Sequence, residues 1–417
     1  MADTADHDVL IIGGGTAGIT VAASLRRRAP KDMSIGLVDP NETHCYQPAL
    51  TLVGAGAYEL EDTRRSEDGL IPPGVTWHKV GAQSFDPDHN TVHLTNGQNL
   101  SYRYLVVCTG IKLDLDKVDG LAATLGQNGV CTNYSPDYAP YTWDCLKTVE
   151  AGQKLVFTQP PMPFKCPGAP QKIAYLAADR LRQRGMLGDC DLDFYTATPA
   201  IFGVPYFARR LSKVAEEWGI NVHTEHTLVA VDGPGRQATF EAKTAAGETE
   251  SVTVPFDMLH VTPPQSPHDF IKSSPLANEA GYVEVDQNSL QHVRYPHVFA
   301  LGDVASTANS KTAAAIRKQA PVVVRNILHM EKGGALDTSY DGYASCPLTV
   351  SLNRVILAEF IYGGKVTPTW PIRNPGKRSR LMWWVKKTGL PLLYWNYMLK
   401  GREAFFKHQT AWGKDDT

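Results

Sequence analysis

Asp8-Val-Leu-Ile-Ile12, followed at once by Gly13-Gly14-Gly15-Thr16-Ala17-Gly18, decides the fold. The apolar run reads as a short strand, and the G-x-G-x-x-G pattern after it opens a helical stretch to Arg28. Gly13 permits the tight turn, Gly15 lets a pyrophosphate come against the backbone, and Gly18 lets helix and strand pack closely. The free N–H groups of the helix start, around Thr16 and Ala17, meet phosphate charge. A second strand, Ser34 to Val38, ends in Asp39, which is placed to accept from ribose hydroxyls. Strand, glycine loop, helix and terminal acid together predict a dinucleotide-binding unit of an α/β fold.

Outward from that unit, Val75 to Val107 reads as short strands with turns at Asp86-Pro87-Asp88 and Asn96-Gly97, ending in Tyr104-Leu-Val-Val-Cys108 and Thr109-Gly110. Late in the chain, His297-Val-Phe-Ala-Leu-Gly302-Asp303 is a strand ending in Gly-Asp, followed by a helix from about Thr312 to His329. An aspartate there can hold a ribityl hydroxyl, and the helix start can face the pyrimidine end of a flavin. In mid-chain, Lys154-Leu-Val-Phe157 begins a second α/β unit. Its loop, residues 158 to 170, lacks a glycine cradle and carries five prolines, which remove N–H donors that a pyrophosphate would need. Lys165 and Cys166 stand just before the next helix, Gln171 to Arg184, and both the helix start and the lysine favour a thiolate. Asp191 to Ala197, Pro205 to Trp218 and Asn221 to Thr224 continue that unit to about Pro264, and Asn288 to Asp303 returns the chain to the first.

The 417 residues are 43% apolar and 20% charged, a globular composition that excludes disorder, collagen and coiled coil. Lys and Arg number 41 against 43 Asp and Glu, so the whole chain makes no case for nucleic acid. The basic charge is concentrated at one end. From Trp370 to Thr417 ten Lys/Arg face three Asp/Glu, and five of the eight Trp lie there. Leu381 to Lys400 interleaves Trp, Tyr and Leu with Arg and Lys, as an interfacial helix does; a helix packed on the protein's own core, or a dimer contact, is the other reading. No apolar run reaches the roughly 18 residues a spanning helix needs, and no secretory or transit peptide is visible. Seven cysteines without a C-x-x-C pair or a Cys/His cluster predict neither a disulfide framework nor a metal site, and the thirteen histidines form no ligand or triad pattern.

The opening glycine loop, the Thr-Gly after the β-meander and the late Gly-Asp resemble the two-dinucleotide-domain flavoproteins of the disulfide-reductase type, which implies FAD and two Rossmann-like domains. Lys165-Cys166-Pro-Gly-Ala-Pro-Gln-Lys172, Leu259-His-Val-Thr-Pro-Pro264, Ser310-Lys-Thr-Ala-Ala314, Tyr340-Asp-Gly-Tyr-Ala-Ser-Cys346-Pro-Leu and Asn353-Arg-Val-Ile-Leu-Ala-Glu-Phe360 resemble the two-cysteine sulfide:quinone oxidoreductases. The resemblance implies that sulfide is oxidised at a redox pair, Cys166 and Cys346, with the persulfide on Cys346 and the flavin-attacking thiolate on Cys166. Two electrons pass through FAD to a membrane quinone, and the sulfane sulfur goes to a thiol, sulfite or sulfide. Gly13, Gly15, Thr16, Ala17, Gly18, Asp39, Thr109, Gly110, Gly302 and Asp303 are the expected FAD residues. Lys311 and Gln319 help place quinone, or Lys311 is a surface charge at a helix start.

Cys45 stands where related flavocytochrome c sulfide dehydrogenases tether FAD, although a noncovalent flavin is expected. Cys131 lies in the region where three-cysteine relatives carry an extra redox cysteine, in flanks of the two-cysteine kind. The expected division is 1–115 with 285–345 for FAD, 116–284 for the second Rossmann-like domain, and 346–417 for quinone and a C-terminal amphipathic membrane-binding segment. A cut at about Arg380 is expected to free the protein from membranes and to depress electron transfer to long-chain quinone more than sulfide-driven flavin reduction. Such a protein is peripheral (monotopic), on the cytoplasmic face of the inner membrane, and a homo-oligomer is left open. The rivals are a type II NADH:quinone reductase, against which the missing second glycine cradle speaks, and a noncatalytic flavin-binding protein, against which the paired Cys-Pro sites speak.

Overall fold

The computed structural model describes residues 5–244, 247–369 and 374–402. His7–Ile12 is the middle strand of a parallel sheet ordered Val75–His78, Ile35–Val38, His7–Ile12, Asn99–Val107, Val298–Ala300. Its unbroken apolar run follows from burial on both faces: Val9 and Ile11 pack into one core, Leu10 and Ile12 into another. The long Asn99–Val107 strand continues past the sheet and pairs antiparallel with Thr91–Leu94, which pairs with Ala82–Asp86, forming the meander. Thr16–Arg28 and Ala313–Glu331 pack together over one face. Ile12, Val38, Val107 and Ala300 all end at the same edge, so Gly13, Asp39, Thr109 and Gly302 follow them into one crevice, where open α/β sheets bind ligands.

A second parallel sheet runs Val130–Cys131, Met258–His260, Lys154–Gln159, Asp191–Thr196, Ile220–Thr224. Together the two sheets give the α/β architecture of disulfide-reductase flavoproteins. The helix after the proline-rich loop is Ala169–Gln183, two residues earlier than expected, because Ala169 and Pro170 fill its first turn. The late helix is Ala313–Glu331, with the Thr312 hydroxyl capping it by accepting from the Ala315 N–H.

The hairpin Ala344–Ser351 and Arg354–Ile361 lies against the Ala169–Gln183 helix. Alternation turns Ala344, Cys346 and Leu348 inward, so strand periodicity carries Cys346 to the helix that begins just after Cys166.

The C-terminal segment is not one interfacial helix. It is a short helix Arg380–Trp384, a π turn Val385–Gly389 and a second helix Leu390–Asn396, closed by a 3₁₀ turn Met398–Lys400. Met382, Lys386, Tyr394, Met398 and Leu399 are buried, while Leu381, Trp384 and Leu392 are more than half exposed. Tyr394, Met398 and Leu399 share a core with Ala17, Ile19 and Val21 of the glycine helix. This corrects the expectation for a cut at Arg380: it would remove core side chains along with any membrane-facing ones. Trp370–Arg373 and residues 403–417 lie outside the described residues.

Candidate functional site

A cavity of about 570 Å³ opens at the strand ends of the first sheet and brings together Gly13, Gly15, Thr16, Ala17, Asp39, Thr109, Gly110, Gly302, Asp303, Lys311 and Cys166. The glycines fit their expected work. Gly13 has φ +102°, a conformation side chains resist, and a Cβ on Gly18 would sit 1.8 Å from the Gly13 carbonyl oxygen. Among the described residues nothing stands within 4 Å of where a Gly15 Cβ would be, leaving the backbone open to a phosphate. Three buried polar atoms of cavity-lining residues, Thr109 Oγ1, Glu67 Oε1 and Asn133 Nδ2, have no partner among the described residues. Open backbone and unpartnered polar atoms are what a dinucleotide such as FAD would use. Asp39 accepts from the Gly14 N–H with one carboxylate oxygen and from Asn41 with the other, so it braces the loop as well as lining the cavity.

Gln319 lies behind the wall: its Oε1 accepts from the Gly302 N–H at 2.9 Å, which holds the Gly-Asp turn rather than reaching into the cavity. Lys311 is not a surface charge. It is buried, and its Nζ donates to the Ala305 carbonyl at 3.0 Å. Burial pushes its pKa down to about 8, with Asp303 pulling the other way.

Cys166 and Cys346 are separated by 180 residues in the chain, yet their Sγ atoms are 4.0 Å apart. Gly168 makes that approach feasible, because a Cβ there would lie 2.6 Å from Cys346 Sγ. Cys166 itself has φ +50°, an unusual backbone for a residue with a side chain. It is held there from two sides: its N–H donates to the Lys311 carbonyl at 2.8 Å, and the Tyr134 hydroxyl donates to its carbonyl at 3.3 Å.

Sequence reasoning gave no role to Lys172 and Lys386. Lys172 Nζ donates to Cys166 Sγ at 3.2 Å from the first turn of the Ala169–Gln183 helix. A lysine in a helix's first turn opposes the helix dipole, and that misplacement was the available signal. Lys386, read as part of a lipid-facing basic stretch, is instead turned inward by the π turn and donates to the Pro48 carbonyl at 2.6 Å. Burial first, then Lys172, lowers its pKa to about 7.

The two thiols divide one charge. A hydrogen bond from Cys346 and the nearby Lys172 ammonium hold Cys166 well below the ordinary thiol range, while Cys346 is raised by that same bond and by burial. The thiolate in turn raises Lys172. Cys45 lines the cavity wall, but burial pushes its thiol up, away from a reactive thiolate. Cys131 is fully buried in the edge strand of the second sheet, and burial raises it as well. Tyr394, His44 and Glu67 form a further buried chain of contacts beside Thr16 that the sequence did not reveal.

The sequence pattern of the pyridine nucleotide-disulphide oxidoreductases matches residues 7–138 and 201–320. The chain is 43% identical to the mitochondrial sulfide:quinone oxidoreductase of Dictyostelium discoideum, over 94% of this chain and 86% of that one. It is 41% identical to the mitochondrial sulfide:quinone oxidoreductase of Mus musculus, over 95% and 87%. The structure of the sulfide:quinone oxidoreductase from Aquifex aeolicus overlays with a TM-score of 0.75 at 21% identity, covering 95% of this chain and 92% of that one, a likeness of fold. NDH2 from Plasmodium falciparum in complex with NADH shares less, with a TM-score of 0.56 at 14% identity over 72% and 64% of the two chains. These likenesses extend along nearly the whole chain: it belongs to the sulfide:quinone oxidoreductase family of the pyridine nucleotide-disulphide oxidoreductases.

Proposed function

We propose that the protein oxidises sulfide at the Cys166–Cys346 pair and passes two electrons through FAD to a membrane quinone. The observation that carries this reading is the meeting of the two sulfurs, 4.0 Å apart, beside the dinucleotide cavity. In the oxidised pair, hydrosulfide attacks Cys346 Sγ, a new S–S bond forms, and the Cys166–Cys346 bond breaks. Its electron pair leaves on Cys166, where Lys172 balances the charge. Sulfide has then given up two electrons and stands as the outer sulfur of a Cys346 persulfide. A thiol, sulfite or second sulfide attacks that outer sulfur and leaves Cys346 as thiolate. Bound FAD, held noncovalently by the glycine loop, Asp39, Thr109, Gly110, Gly302 and Asp303, would accept the electron pair of the reduced cysteines and return it to quinone. Lys311 fixes the Cys166 backbone through its carbonyl, and the strained turn keeps the sulfur at the rim.

In domain terms, we assign 1–115 with 285–345 to FAD, 116–284 to the second Rossmann-like unit, and 346–417 to quinone and membrane. Among the described residues no helix is long and apolar enough to cross a bilayer. Leu381, Trp384 and Leu392, exposed on the C-terminal helices beside Lys387 and Arg380, suit the interface of a peripheral protein at the inner membrane, with the cytoplasmic face as the expected side.

Cys166→Ser and Cys346→Ser should each abolish sulfide-dependent quinone reduction while retaining flavin; near-normal turnover in either would defeat the two-cysteine reading. Lys172→Met should move the pH profile of Cys166 alkylation by iodoacetamide to higher pH by about one unit or more, because the thiolate loses a cation within bonding distance. An unmoved profile would show that Lys172 does not set the thiolate. Replacing Leu381, Trp384 and Leu392 together by Ser should weaken binding to anionic, quinone-loaded vesicles by at least about tenfold with flavin content unchanged. Full cosedimentation of that variant would place the membrane surface elsewhere.

A further inference from the structure

The C-terminal segment does more than offer an apolar surface, because its second helix ends on the glycine helix itself. The Tyr394 hydroxyl lies 2.7 Å from Thr16 Oγ1 and 2.5 Å from His44 Nε2, and His44 Nδ1 lies 3.3 Å from Glu67 Oε2. Thr16 is the first residue of the helix that follows the glycine loop, and all four residues line the cavity. His44, Glu67 and Tyr394 are buried, so removing the hydroxyl would leave polar neighbours without a replacement from water.

Beyond Tyr394 the chain follows the glycine helix toward its far end. A Cβ on Gly401 would lie 2.4 Å from the Ala23 carbonyl carbon, and the Arg28 guanidinium donates to the Gly401 carbonyl at 3.0 Å. The segment is therefore fastened to both ends of the helix whose start is to carry the pyrophosphate. The polar chain also reaches the ligand space at both of its ends, through Thr16 and through Glu67, whose Oε1 has no partner among the described residues.

We propose that Tyr394 is a positioning residue whose hydroxyl latches the C-terminal segment over the dinucleotide cavity, so that bound FAD and docking of the segment on the glycine helix hold each other in place. Apolar packing of Met398 and Leu399 brings the segment to the helix; the hydroxyl registers it against Thr16 and His44. By linkage, whatever FAD adds to segment docking, docking adds equally to FAD binding. An amphipathic anchor tied to the cofactor in this way would keep the membrane-facing helices ordered when the enzyme is loaded.

The inference rests on the FAD reading above, and its test separates the two. FAD release from the purified holoenzyme is followed by flavin fluorescence on dilution, and trypsin cleavage after Lys387 and Lys400, both exposed, is followed in FAD-loaded and FAD-stripped protein. Wild type should release FAD slowly, and FAD should protect both sites. Tyr394→Phe should release FAD about tenfold faster and lose most of that protection. His44→Phe, which removes the same bond from the other side, should do likewise and serves if the first variant does not accumulate. Asn396→Ala, an exposed change on the same helix, should match wild type. Unchanged release and protection in Tyr394→Phe, or equal acceleration in Asn396→Ala, overturns the latch alone. Wild-type protein that takes up no FAD overturns the cofactor reading and the latch with it.

Discussion

The Lys172 ammonium, buried 3.2 Å from Cys166 Sγ, is the contact on which the rest of the site depends. Neither charge would be stable alone in that interior: an unpaired buried ammonium loses its proton and an unpaired buried thiolate gains one. Paired, each holds the other ionised, and Cys346 supplies the thiolate with a hydrogen bond. Lys386 and Lys311, buried nearby with pKa values of about 7 and about 8, add adjustable positive charge to the same wall. Such surroundings favour an anionic sulfur species.

Geometry makes that chemistry local. The Ala344–Ser351 strand delivers Cys346 by simple alternation, and Gly168 leaves the space it needs. Cys166 is kept in a left-handed backbone by the Lys311 carbonyl and the Tyr134 hydroxyl, and non-glycine residues persist in that conformation only when their surroundings fix them. Lys311 comes from the segment that leads into the Ala313–Glu331 helix, so a backbone hydrogen bond joins the glycine-loop crevice to the cysteine loop. The crevice and the cysteine loop are thus tied together, although they belong to different sheets.

What was legible in the sequence was what local structure determines. The glycine loop, Asp39, Thr109 and Gly302 could be placed because each follows directly on a strand whose apolar pattern is plain. Cys166 and Cys346 could be paired only through family resemblance, since 180 residues separate them and nothing in either flank names the other. Lys172 and Lys386 were missed for opposite reasons. Lys172 is hidden by proximity to a motif that drew attention to the cysteine, and Lys386 looks like any interfacial lysine until a π turn rotates it inward. The aromatic and basic C-terminal pattern showed amphipathicity but not that Tyr394, Met398 and Leu399 would face this protein's own glycine helix. Gln319 and Lys311 were expected to help place quinone; the contacts they make are with backbone, Gln319 accepting from the Gly302 N–H and Lys311 donating to the Ala305 carbonyl, which no composition reveals.

On the proposed reading Cys346 is the sulfur electrophile and Cys166 the thiolate that leaves. That assignment is tested most directly by treating oxidised enzyme anaerobically with one equivalent of sulfide, trapping with an alkylating agent, and mapping the added sulfur by mass spectrometry of peptides. One extra sulfur atom is expected on the peptide containing Cys346, with Cys166 simply alkylated. An extra sulfur on Cys166, or on neither cysteine while the flavin is reduced at the normal rate, would contradict it.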